Sequence, residues 1–402
     1  MSAHAHGATG ADVERLDKSV SGKLVTMAAV IAAAGVLACG AALASDAKRF
    51  YFSYLTGFAW VLTLGLGGLF FVIIQHLVRA GWSVAARRQM EWLAGVLQLA
   101  AVLFIPIILG AHDLFHHWMS PEAAQDPILI KKAGYLNTGF FYTRAVIFLV
   151  AWFGLSWFFR AQSRAQDDNG NPEHTLRMQA FSAPAVLVFA LSLTFAAFDW
   201  LMSLDPHWYS TIFGVYIFAG SATSSLSALA LMTIALQRAG IFKSVSTVEH
   251  QHDIGKLLFG FTVFWAYIAF SQFFLIWYAN IPEETIFFRH RWEEGWRGIS
   301  ILLMLGHFVI PFALLLSRTA KRSRLLLGIG AVWMLLMHYV DLYWLVMPNL
   351  DPHGAHFHWI DVAGLLGPAG ILLLWLAIRA SRDPVYPLKD PRLTETKLNE
   401  NL

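Results

Sequence analysis

One cysteine, Cys39, in 402 residues excludes a disulfide framework, and it excludes any cysteine-ligated zinc or iron–sulfur site built by this chain alone. Charge is equally scarce: Asp, Glu, Lys and Arg make up 14% of the residues against 57% hydrophobic ones, and the mean hydropathy is +0.54. With 16 Trp and 31 Phe, the chain has more apolar surface than one soluble core can bury, so the sequence predicts an all-α integral membrane protein. The first 23 residues are polar, and the apolar run after them continues for a full span without a convincing cleavage site; no cleavable signal peptide is expected. A pI near 8.9 would suggest nucleic acid as partner of a soluble chain. Here the basic residues lie between apolar runs and set topology, so no nucleic-acid partner is expected.

Ten apolar runs are long enough to cross a hydrocarbon core of about 30 Å. They are Leu24 to Ala44, Tyr54 to Val78, Met90 to Ala111, Thr138 to Phe159, Phe181 to Met202, Thr211 to Leu236, Gly255 to Ala279, Trp296 to Leu316, Leu325 to Met347 and Trp359 to Ile378. Assigning both termini and the second, fourth, sixth and eighth connections to one side collects 21 of the 29 basic residues, Lys243 among them. The other side holds Lys48, Arg49, Lys131, Lys132, Arg289, Arg291 and Arg297, and Arg144 lies inside the fourth run. The positive-inside rule then makes both termini cytoplasmic. Residues 1–23 read as an inner tail, 24–380 as the membrane domain and 381–402 as a second inner tail.

A weak repeat suggests internal organisation. Leu204-Asp205-Pro206-His207 follows the fifth run and Leu350-Asp351-Pro352-His353 the ninth, and these runs carry Asp199 and Asp341 at similar depths. Runs two to five (54–202) and six to nine (211–347) would then be two four-helix units related by an axis along the membrane normal, with runs one and ten flanking them.

Function is sought among polar residues inside the runs, because an intramembrane carboxylate costs roughly 2.5–3.5 kcal/mol on insertion scales. His307 falls near the middle of run eight, His338 and Asp341 in the outer half of run nine, Asp199 in the outer half of run five and Arg144 in the outer part of run four. His338 and Asp341, three apart, share a helix face. His112, Asp113, His116 and His117 crowd the outer end of run three, His76 and Gln75 lie near the inner end of run two, and run seven adds Tyr267, Ser271 and Gln272. Three uses compete for such residues. Hydroxyls and imidazoles glue membrane helices together, which suits Ser221, Thr223, Ser224, Ser225 and Ser227 of run six. A haem b needs two facing imidazoles, for which only His307 and His338 are deep enough. A proton or ion route is made of Asp, His and Tyr in series. The depths of Asp199, His338, Asp341 and His307 suit the outward half of such a route, and Arg144 is alternatively a packing partner for Asp199. Secondary transport and quinone-linked proton chemistry both fit.

The stretches FDWLMSLDPHWYSTIFGVYIFAG (198–220), LNTGFFYTRA (136–145), QHLVRAGWSVAARRQME (75–91), HYVDLYWLVMP (338–348) and the run from His252 to Thr285 resemble the polysulfide reductase, or NrfD-like, family of membrane subunits. Within it the resemblance is to the shorter such subunit of alternative complex III, a bacterial quinol:cytochrome c oxidoreductase. The resemblance covers essentially all ten runs. It implies ten helices with two four-helix bundles, in a multi-pass subunit of the bacterial cytoplasmic membrane that binds no metal or haem itself. It implies as partners a periplasmic iron–sulfur subunit, a longer sister subunit of the same family, c-type haem subunits and other small membrane subunits. Menaquinol or another quinol is then the substrate of the whole complex, with His112, Asp113 and Arg144 as candidate quinone contacts and Asp199, His307, His338 and Asp341 as the candidate proton route. An ion-coupled secondary transporter is the rival expectation.

Overall fold

The apolar runs become helices because nothing in lipid can satisfy an open backbone, and their ends fall where side chains can cap them. Asp17 accepts from Ser19 N–H at the start of span one, Asp46 from Arg49 N–H at span two and Asn137 from Phe140 N–H at span four. Gly170 and Asn280, both left-handed, close spans four and seven. The computed structural model describes residues 15–241, 245–293 and 295–400; Lys243, residues 1–14 of the expected amino-terminal tail and residues 401–402 lie outside them.

Among the described residues there are ten helices long and apolar enough to cross a membrane and no strand. They are Lys18–Ser45, Ala47–Leu77, Val84–Leu109, Thr138–Asn169, Glu173–Leu204, Phe213–Arg238, Val248–Ala279, Arg297–Leu316, Arg324–Asn349 and Trp359–Arg382. Each overlaps one of the ten apolar runs. The largest extension is in span four, whose helix continues ten residues beyond Phe159 because polar Arg160–Asn169 finds ion-pair and hydrogen-bond partners on the end that carries the carboxyl terminus.

Spans two and six are the most enclosed and pack on each other; spans three, four and five close a ring with span two, and spans seven, eight and nine close one with span six. Spans one and ten form a pair laid against span two. Small residues set that pairing: a Cβ at Gly57 would fall 2.2 Å from Gly364 O, and one at Gly35 2.4 Å from Leu366 O.

Two spans are irregular. Span three passes through a 3-10 segment, Gly95–Leu99, ahead of Pro106. Span eight contains a π-helical turn, Met304–Val309, followed by Pro311. Proline lacks the N–H that the carbonyl of His307 would otherwise receive, and π-turns recur at functional sites.

The carboxyl-terminal segment is not a loose tail. It runs back across the helix ends, where Asp383 accepts from Arg160 (2.9 Å) and Arg164, Asp390 from Arg87 (2.6 Å) and Val385 O from Gln89 (2.7 Å), while Thr396 donates to Trp82 O. Arg87, Arg88, Arg160 and Arg164, which count toward the basic side in the charge distribution, are thus also structural. Arg88 is fully buried between Asp167 (2.5 Å) and Glu91 (3.4 Å).

Candidate functional site

The candidate residues separate into three places. In the first ring, Arg144 grips Asp199 with two hydrogen bonds, Nε to Oδ2 at 2.6 Å and Nη2 to Oδ1 at 3.0 Å. Its third arm donates to Tyr135 O (2.9 Å), and its plane lies over the Tyr135 and Phe140 rings, 3.8 and 4.3 Å from their centroids. Both side chains are buried. Burial, then the adjacent Asp199 charge, raises the Tyr135 hydroxyl above its ordinary range and keeps it neutral. A guanidinium that already holds a carboxylate bidentately has little left for another ligand.

No described contact joins Arg144 to His112 or Asp113, which are exposed near the end of span three, where the His112 ring lies 5.8 Å from that of His116 between centroids. Asp199 likewise departs from the expected descending series. Its side-chain partner is Arg144, the packing alternative the sequence already offered, and no described contact joins it to His338 or Asp341. The two Asp-Pro-His loops are each tied down. His207 meets Asp126 at 2.6 Å, and this hydrogen bond, ahead of Ile128 N–H, holds the Asp126 carboxyl below its usual range. Asp351 is held by Arg49 at 2.9 Å.

The second ring brings three of the predicted residues together. His307, His338 and Asp341 are all buried, and each offers one ligand-type atom within 4.8 Å of the others. The i,i+3 spacing put His338 and Asp341 on one face; His307 joins them from the π-turn of span eight, whose Gly306 carbonyl is taken by Trp333 Nε1–H at 2.7 Å. Asp341 accepts from the Tyr216 hydroxyl and from Trp265 Nε1–H (3.2 Å), and the Trp265 ring also stacks on His307 at 3.8 Å between centroids.

Thr63, reaching in from span two, sits 2.8 Å from His338 Nε2. The same hydroxyl also lies 2.8 and 3.0 Å from the Ala59 and Trp60 carbonyls. Nδ1 of His338 and both ring nitrogens of His307 have no hydrogen-bond partner among the described residues. Gly220 lets span six pass beside them: a Cβ there would lie 2.8 Å from His338 Cε1.

Tyr216, Trp265 and Thr63 were not among the sequence candidates. An aromatic or a lone threonine in an apolar run gives no signal, and Tyr267, which was singled out, is exposed on the outside of span seven. The hydroxyls of span six do what close packing requires: Ser221, Thr223, Ser224, Ser225 and Ser227 all donate to carbonyls of their own helix. His76 faces Arg87, Nη1 lying 3.1 Å from Nε2.

Chemically, the second-ring cluster is a buried acid flanked by two imidazoles, able to hold a proton. Compared with known proteins, the chain matches no family model and no curated protein.

Proposed function

We propose that this chain is a membrane subunit of a quinol:electron-acceptor oxidoreductase of the NrfD-like kind, similar to the shorter such subunit of alternative complex III, and that its contribution is to proton movement. Electron carriers belong, on this reading, to partner chains: an iron–sulfur subunit, a longer sister subunit and c-type haem subunits on the outer side of a bacterial cytoplasmic membrane. The sequence stretches quoted above support the family; the cluster of His307, His338 and Asp341 is the single observation that supports the proton role. A buried carboxylate with two hydrogen-bond donors and, among the described residues, no ion-paired Lys or Arg is expensive. It is retained where gaining and losing a proton is useful.

Asp199, by contrast, has its counter-ion already in Arg144, and we assign it to packing. The route therefore runs through the second ring, with Tyr216 as the hydroxyl adjoining Asp341. Direct contact with quinol is assigned to the sister subunit, since Arg144 is engaged by Asp199 and no described contact joins it to His112 or Asp113.

The transporter alternative calls for helices broken at matching positions of two halves. The breaks here are in spans three and eight, which occupy the second place of one ring and the third of the other, while span four is continuous over 32 residues. Purification from native membranes in mild detergent tests the proposal. Copurification with multihaem c and iron–sulfur polypeptides is expected; isolation as a lone, active carrier would overturn it.

A further inference from the structure

Spans four and ten end alike on the side that carries the carboxyl terminus. The fourth apolar run stops at Phe159 and is followed by Arg160 and, one turn on, Arg164; the tenth stops at Ile378 and is followed by Arg379 and Arg382. The fold brings these ends together. Asp383, whose side chain has no exposed surface, accepts from Arg160 at 2.9 Å and from Arg164. Arg379 lies on the Trp375 ring, 3.9 Å from its centroid. That ring donates to Trp92 O at 2.8 Å and is seated on Gly95, where a Cβ would fall 2.7 Å from Cζ2. The charges that act most on Arg379 are those of Arg160, Asp383, Arg382 and Arg164. Four guanidiniums thus gather around one carboxylate whose two oxygens are both taken. Among the described residues neither Arg379 nor Arg382 has an ion pair, and the Nε atoms of Arg160 and Arg379 are buried without a partner. We propose that Arg160, Arg164, Arg379 and Arg382 form a binding site for the phosphate of an anionic phospholipid in the leaflet on that side, the inner one by the charge distribution.

A lipid fits better than a free ion because of what lies below the arginines. Val146, Val150, Phe153 and Trp157, spaced alternately four and three apart on span four, share a helix face and are 48–65% exposed. Arg160 and Arg164 continue that spacing. The apolar stripe is about 16 Å long at 1.5 Å per residue, which matches one leaflet of a hydrocarbon core about 30 Å thick. An acyl chain laid on it brings its headgroup to the two arginines. Indoles belong at that boundary, and Trp157 and Trp375 lie one turn before Arg160 and Arg379. The planar donors of a guanidinium match phosphate oxygens in pairs, and stacking on an aromatic face fixes the plane. Arginines that served topology alone would reach freely into water; Arg160 and Arg379 are instead half-buried, and crowded like charges repel until an anion joins them. Basic pockets between membrane helices on the cytoplasmic side take anionic headgroups for this reason. A zwitterionic lipid relieves less of the repulsion, because its own cation comes with the phosphate. The inference stands apart from the redox reading, and neither needs the other.

The test needs no turnover. The full-length chain in detergent is washed free of native lipid and titrated with phosphatidylglycerol or with phosphatidylcholine of the same acyl chains, and bound lipid is counted by native mass spectrometry. Wild type is expected to hold one phosphatidylglycerol at concentrations where it holds no phosphatidylcholine. A basic residue facing anionic lipid contributes about fivefold to binding. Arg379→Gln and Arg382→Gln should therefore each weaken it about fivefold, and the double variant about 25-fold. Arg382 is exposed, so its variant keeps the test open if Arg379→Gln fails to fold. Arg177→Gln/Arg238→Gln, which removes two exposed arginines at the same end outside the cluster, should bind as wild type does. Inorganic phosphate in large excess, at constant ionic strength, should not displace the lipid; displacement would reassign the site to soluble anions and overturn the lipid claim. Equal binding of the two lipids, losses no greater in the cluster variants than in Arg177→Gln/Arg238→Gln, or no phosphatidylglycerol on wild type would each overturn the inference.

Discussion

Replacing Arg144 by Leu leaves Asp199 as an uncompensated carboxylate with no exposed surface, and the size of the loss follows from what the guanidinium holds. Two hydrogen bonds to Asp199 at 2.6 and 3.0 Å disappear together with their counter-charge. Breaking a buried pair by removing one partner costs about 3–5 kcal/mol. The reverse single change, Asp199→Leu, strands the cation and is expected to cost a similar amount. The double variant Arg144→Leu/Asp199→Leu removes both charges. Its remaining loss is the bond to Tyr135 O, about 1 kcal/mol, and the stacking on Tyr135 and Phe140, about 0.5–2 kcal/mol. It should therefore be more stable than either single variant. Denaturant unfolding of the purified chain in detergent, read as a double-mutant cycle, measures this coupling. Additive losses, with the double variant the least stable of the three, would refute the packing assignment of Asp199 and return it to the candidate proton route.

Gly57→Ala places a methyl group 2.2 Å from Gly364 O, so spans two and ten must part; a loss of about 1–3 kcal/mol is expected in the same unfolding assay. Ending the chain at Arg382 removes the carboxylates that pair with Arg87, Arg160 and Arg164 and opens the buried layer beneath them. Protease cleavage in the connection between spans four and five should rise, and unchanged cleavage would show that the segment only rests on the surface. Reporter fusions after Trp208 and Gly354 are expected to report the outside and one after Arg322 the inside, as the charge distribution requires.

Apolar length made the ten helices legible, because the bilayer admits little else at that composition. The short-range part of the site was legible too: His338 and Asp341 share a face by spacing alone, and Arg144 and Asp199 were recognisable as a possible pair of opposite charges. What spacing could not deliver was the choice between partners. Asp199 and Asp341 look alike in sequence, each an acid in an apolar run ahead of an Asp-Pro-His loop, yet one meets a guanidinium from span four and the other two histidines, a tyrosine and a tryptophan from four helices. His307 reaches the cluster through a π-turn; the Pro311 that follows it is visible in the sequence, but the placing of the side chain is not. The carboxyl-terminal strap was missed for a related reason, since polar composition marks solvent exposure on average and says nothing of ion pairs closed across 219 to 303 residues of chain.

The most direct measurement is the proton-to-electron ratio of the complete complex reconstituted in sealed vesicles, with proton release and acceptor reduction followed together. Asp341→Asn and His338→Ala are expected to lower that ratio, while Arg144→Leu/Asp199→Leu, provided the protein folds, leaves it at the wild-type value. Rate and ratio unchanged in both Asp341→Asn and His338→Ala would contradict the account, and the cluster would then be no more than helix packing.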